Sequence, residues 1–166
     1  MATVTAFDTR DLRRALGTYA TGVTIITTRD GEGRLYGLTA NSFASVSLDP
    51  PLVLWSLSRA AGSYPVFRDA THFGVNVLGG EHRELSLRFA HPHPDKFAGI
   101  GYALGDYGVP LIDGAAAHFE CAIETRYEGG DHVIVVGRVR RYDYTVKPTL
   151  LFCHGKYHEA RELPDR

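Results

Sequence analysis

The sequence predicts a mainly β fold, a mostly antiparallel barrel with a few short helices laid on its outside. Three observations carry that prediction. Six or seven segments have strand character, the helical segments are short, and helices and strands do not alternate along the chain. A parallel doubly wound sheet needs that alternation, so an antiparallel barrel fits better.

The elements follow in chain order. Asp8 suits a helix N-cap, and Asp11 falls in the first turn near the positive end of the dipole. Leu12, Ala15, Leu16 and Tyr19 then recur at helical spacing as one apolar stripe, and Gly17 and Gly22 bracket its end. Residues 23–28, VTIITT, are β-branched throughout and favour a strand. Asp30-Gly31-Glu32-Gly33 predicts a hairpin turn, with a second strand over about residues 36–44. Asp49-Pro50-Pro51 ends that unit, because proline has no N–H to give a ladder. Strands are predicted at 52–57 and 73–78, with a short helix over 63–68 between them. Residues 80–90 read as helical, with Leu85 and Phe89 facing inward. Segments 117–127 and 132–142 flank Glu128-Gly129-Gly130-Asp131 and predict a long hairpin, and 150–154 a last strand.

Composition narrows the function. A net charge of −1 gives no basic field for nucleic acid or an anionic membrane surface. The first sixteen residues lack a signal peptide's apolar core, and no apolar run approaches membrane-spanning length, so a cytoplasmic location is expected. Cys121 and Cys153 form no CxxC pair and read as reduced thiols. With no repeat, linker or low-complexity tract, residues 1–166 read as a single domain.

The segment from Thr39 to Pro51 is the most informative. Thr39, Asn41, Ser42, Ser45 and Ser47 crowd a strand exit with donors and acceptors that carry no charge. Such groups suit the edge of a planar heterocycle bearing carbonyls and ring nitrogens, although Asx and Ser/Thr turns use the same residues.

The flanking sequence resembles the short-chain flavin reductase family, the reductase components of two-component flavin monooxygenases. Ala20-Thr21-Gly22-Val23, residues 39–51, His72-Phe73-Gly74-Val75-Asn76-Val77-Leu78, Asp95-Lys96-Phe97 and Gly129-Gly130-Asp131-His132 match its signatures in order. They span about residues 13–157. The resemblance implies a split β-barrel that dimerises and binds FAD or FMN near the subunit interface. It also implies a hydride donor, NADH or NADPH, and a partner monooxygenase that takes the reduced flavin.

By that resemblance Thr39, Ala40, Asn41 and Ser42, with Ser45, Val46 and Ser47, line the flavin. Ser56, Leu57, Ser58 and Arg59, with Ser63, lie toward its phosphate and ribityl chain. The residue types agree, since serines give neutral donors and an arginine fork grips phosphate. Arg88, Phe89 and Ala90 with Asp95, Lys96 and Phe97 form a second phosphate-side set, although aromatic residues at such spacing are usually core. His132 matches the histidine beside the nicotinamide and flavin ring and is the candidate catalytic residue. Tyr157 matches a second aromatic in that region.

Other chemistries find no support. His91-Pro92-His93 lacks helical spacing and a third ligand, so no metal site is expected. HExxH, GxSxG, a Walker loop and GxGxxG are all absent, so a dinucleotide would bind without a Rossmann unit. The resemblance therefore implies an NAD(P)H:flavin oxidoreductase. Its alternative is a non-catalytic flavin-binding split barrel.

Overall fold

The computed structural model describes residues 8–164. Helix α1 (Thr9–Leu16) starts where expected, the Asp8 carboxylate accepting the backbone N–H of Arg10 at 2.8 Å and of Asp11 at 3.4 Å. Its apolar stripe does not face inward, because α1 buries none of its residues. After the short β1 (Thr21–Gly22) come β2 (Thr24–Arg29) and β3 (Leu35–Ala40), a hairpin whose turn is held by Asp30 accepting from the N–H groups of Glu32 and Arg34. The strand predicted over 36–44 breaks at Asn41-Ser42-Phe43 and resumes as β4 (Ala44–Leu48), followed by β5 (Pro51–Ser58).

Helix α2 (Tyr64–Asp69), β6 (His72–Val77), a 3₁₀ turn (Gly80–His82) and α3 (Arg83–Ala90) match the predicted order. A small hairpin that the sequence did not signal follows, β7 (Tyr102–Leu104) and β8 (Pro110–Ile112). The long hairpin is β9 (Ala117–Gly129) and β10 (His132–Tyr144). The chain ends in β11 (Leu150–Cys153) and a further unforeseen strand, β12 (Lys156–Glu159).

Seven strands form one sheet in the order β3-β2-β6-β9-β10-β5-β4, and every pairing is antiparallel. Its edge strands, β3 and β4, are consecutive in sequence. Across a flat sheet they would stand six spacings, or roughly 29 Å, apart. The link from Ala40 to Ala44 can span no more than roughly 14 Å. The sheet must therefore curl until its edges meet, and the break at residues 41–43 is where the chain crosses from one edge to the other. The result is a split β-barrel, flanked by the small sheets β1-β11-β12 and β7-β8.

Two apolar clusters fill the molecule. Inside the barrel, Trp55 meets Phe67 and Phe73 edge-on at ring-centroid distances of 5.3 and 5.9 Å. Outside it, Val23, Ile25, Leu78, Phe89, Phe97, Ile112 and Leu150 pack α3 and the C-terminal strands onto the sheet. Strand β2 lies between the two, with Ile26 in the first cluster and Ile25 in the second. Burial on both faces explains why its sequence is a continuous β-branched run rather than an alternation. Buried Asn76 fastens these layers, donating to the Ile25 carbonyl at 3.0 Å and accepting from Ile112 N at 2.7 Å. Both cysteines are free, and burial pushes the Cys121 thiol up to about 12. No helix of the described residues is long and apolar enough to cross a membrane.

Candidate functional site

The strand crossover opens a cleft of about 720 Å³. That volume lies within the usual range for small-molecule and cofactor sites. One wall is β3 from Tyr36 to Ala40, continued by Asn41 and Ser42. The facing wall is Ser56 and Ser58 of β5 with the loop Ala60-Ala61-Gly62-Ser63. Phe89 and Ala90 at the end of α3, the following residues 91–96, and His132 complete it.

Each wall is fixed by bonds that follow from the local sequence. Thr39 donates through Oγ1 to the Ser86 carbonyl at 2.6 Å, tying β3 to α3. Ser42 Oγ accepts the Ser56 N–H at 2.9 Å, which closes the crossover onto β5. Gly37 lies so close to Phe89 that a Cβ there would meet the ring at 2.5 Å. At the β9–β10 turn, Gly129 pairs with His132, leaving a two-residue loop of Gly130 and Asp131. Gly130 has φ +71°, a conformation that glycine takes without steric penalty.

The same register sets His132 opposite Ser58 of β5. Asp131 Oδ1 bonds His132 Nδ1 at 2.7 Å, and that bond holds the Asp131 carboxyl below its usual range. With an N–H at Nδ1 given to Asp131, Nε2 is left without a protein partner among the described residues.

Lys96 is not a solvated surface charge. Its ammonium donates to the carbonyls of Phe89 at 2.8 Å and Gly37 at 3.3 Å, and burial lowers its pKa. It has no carboxylate partner among the described residues. Asp95 instead caps the turn, accepting from the N–H groups of Phe97 and Ala98.

The structure thus brings Thr39, Ala40, Asn41, Ser42, Ser56, Ser58, Ser63, Phe89, Ala90, Lys96 and His132 to one cleft. It does not bring the others. Ser45, Val46 and Ser47 lie along β4, beyond the crossover. Leu57 and Phe97 are buried in the two clusters. Arg88 donates to the Ala98 carbonyl at 2.8 Å. Arg59 is paired with Glu128 and bonds Tyr64 Oη at 3.0 Å. Tyr157 packs on Phe152, with its hydroxyl 2.8 Å from Ser86 Oγ.

Sequence reasoning missed the glycine and alanine wall, Gly37 with Ala60, Ala61 and Gly62, and the His91–Pro94 stretch. The Ala-Ala-Gly run after Arg59 was the available signal, since small residues leave room for a ligand.

Comparison with known proteins adds three findings. Residues 16–161 match the family described as flavin reductase like domain. FMN reductase (NADH) SmoA of Agrobacterium fabrum is 43% identical over 90% of this chain and 85% of its own length. The reductase component of flavin-dependent trigonelline monooxygenase from Acinetobacter baylyi is 43% identical over 89% of this chain and 48% of its own. Streptomyces globisporus NADH:FAD oxidoreductase SgcE6, solved in complex with NAD and FAD fragments, superposes with a TM-score of 0.89. It is 38% identical over 99% of both chains. The chain spans about half the length of two of the curated relatives it matches.

Proposed function

We propose that this chain, which belongs to the flavin reductase-like domain family, uses NADH or NADPH to reduce FAD or FMN and releases the product to a separate monooxygenase. The observation that carries the reading is the cleft itself. Its walls present neutral hydroxyls and an amide, backbone with little side chain in the way, one unpaired half-buried cation, and a histidine oriented by a carboxylate. Neutral donors and acceptors suit a flavin ring with its carbonyls and nitrogens. Small residues at Gly37, Ala60, Ala61 and Gly62 admit a flat ligand. An ammonium satisfied only by carbonyls suits an anion. The names of the relatives support the same chemistry: one is an FMN reductase using NADH, one a reductase component of a monooxygenase.

Bound flavin and nicotinamide would supply the redox chemistry, a hydride passing between them. The chain's residues do the positioning. Thr39, Asn41, Ser42 and Ser56 would hold the ring edge, and Ser58 and Ser63 the ribityl side. Lys96 would offer its remaining N–H to the phosphate. Arg59 reaches that phosphate only by leaving Glu128, so its contribution is a competition rather than a free charge. His132 would use Nε2 at the reacting end, to place the carboxamide or to favour negative charge on the reduced ring. Its side chain is 42% exposed, which fits a site from which flavin must leave. A second copy of the chain is proposed to complete the assembly near this cleft.

Absorbance of NADH with FMN, FAD or riboflavin added separately tests the reading. NADH should be consumed only when a flavin is present. Tight flavin binding with NADH left untouched would instead identify a non-catalytic flavin-binding barrel.

A further inference from the structure

We propose that Tyr157 is a positioning residue that sets the cleft wall through Ser86, rather than a group that meets the ligand. The proposal rests on the reading of the cleft as the flavin site. Tyr157 lies on β12, off the cleft wall, with its ring against Phe152 at a centroid distance of 5.3 Å. Its hydroxyl is 2.8 Å from Ser86 Oγ. Ser86 is fully buried in the middle of α3, where its hydroxyl must find a partner. A helical serine ordinarily turns back to the carbonyl one turn earlier, which bends the helix. Here the partner comes from a different element, and the contact ties α3 to the C-terminal hairpin.

The same residue reaches the cleft wall through its backbone, since the Ser86 carbonyl accepts at 2.6 Å from Oγ1 of Thr39, which lines the cleft. Phe89 and Ala90, three and four positions on, line the cleft, and Lys96 bonds the Phe89 carbonyl. A chain of contacts therefore runs from Tyr157 through Ser86 to Thr39, Phe89 and Lys96. Removing the tyrosine hydroxyl leaves Ser86 Oγ buried and unpaired, and its remaining option is to back-bond and shift α3. Removing both hydroxyls leaves an apolar contact with nothing to drive the shift.

Steady-state kinetics of Tyr157→Phe and of Tyr157→Phe/Ser86→Ala decide the matter. Tyr157→Phe should raise the flavin KM by roughly fivefold, with kcat at saturating flavin within about twofold of the original chain. Adding Ser86→Ala should return the flavin KM to within about twofold of its starting value, a coupling expected only of residues acting as a pair. A merely structural tyrosine would lower thermal stability without moving the flavin KM, and that result overturns the proposal. So does a rise in the NADH KM that Ser86→Ala fails to reverse, which would mark direct contact with the nicotinamide. Should Tyr157→Phe not fold, the double variant decides: folded with a near-normal flavin KM it supports the coupling, otherwise it refutes it. An unsubstituted chain that leaves NADH untouched with every flavin refutes the reading of the cleft and the proposal with it. An active chain with an unchanged Tyr157→Phe refutes the proposal alone.

Discussion

His132 and Lys96 show how neighbours decide what a side chain can offer. The imidazole is turned by Asp131, and the loop carrying both is pinned by the Arg59 N–H donating to the Asp131 carbonyl at 3.0 Å. His132→Ala removes the group at the reacting end but leaves the serine and threonine walls intact. We therefore expect kcat to fall while the flavin dissociation constant stays within about twofold. The loss should be roughly tenfold, below the usual range for acid–base groups, because hydride transfer asks no proton movement of the protein. Stopped-flow measurement of flavin reduction, beside a flavin titration, checks this; lost flavin affinity with unchanged reduction would reverse the assignment. Gly129-Gly130-Asp131-His132 was legible in the sequence because glycines and an Asp–His neighbour pair are local features. Arg59 was not, since Glu128 lies 69 positions away and only the β5–β10–β9 register brings the two together.

At the scale of elements, the joint between β3 and α3 sets the cleft's width. Phe89 is 1% exposed and cannot swing out, so a methyl group on Gly37 has nowhere to go. Gly37→Ala should cost about 1–3 kcal/mol of stability through overpacking and should weaken flavin binding as α3 moves off β3. Gly22→Ala, where an added Cβ meets nothing within 4 Å, is the control and should change stability by less than about 0.5 kcal/mol. Urea denaturation of both variants checks the pair, and equal midpoints would show that the joint tolerates the strain. Most elements were readable because burial left its period in the sequence, as in β5, whose pattern alternates along Pro51–Ser58. Strand β8 alternates over only three residues, too few to read as a strand, and the other unforeseen strands lacked the signal. All three residues of β7 are exposed, and β12 reads Lys-Tyr-His-Glu with one side chain partly covered. The break at 41–43 was invisible for another reason: sheet closure, not local propensity, forces the chain to leave the ladder there.

The whole molecule leaves apolar surface that its own core does not use, and this decides where a second copy would sit. The apolar start of β10 is not available for such a contact, because Val133, Val135 and Val136 are buried inside the chain. The open surface lies further along. Pairing between β10 and β5 stops at Arg138 and Leu52, while β10 continues beside β9 to Tyr144, so among the described residues the β5 side of residues 139–144 is an unpaired edge. Tyr142 stacks on Phe119 and stays 68% exposed, and Leu48 at the end of β4 is 92% exposed. An exposed edge beside aromatic and aliphatic side chains is the kind of surface that a two-fold partner covers. We expect a dimer at micromolar concentration by sedimentation. Replacing Leu48 and Tyr142 together by aspartate should yield a folded monomer, because both side chains are mostly exposed and neither belongs to the buried core. Flavin-dependent NADH oxidation should fall in that monomer if the copies meet near the cleft, whose Asn41 and Ser42 immediately precede Phe43 and β4. A chain that sediments as a monomer with full activity would remove the second copy from the mechanism, and the cleft would then have to hold both flavin and nicotinamide alone.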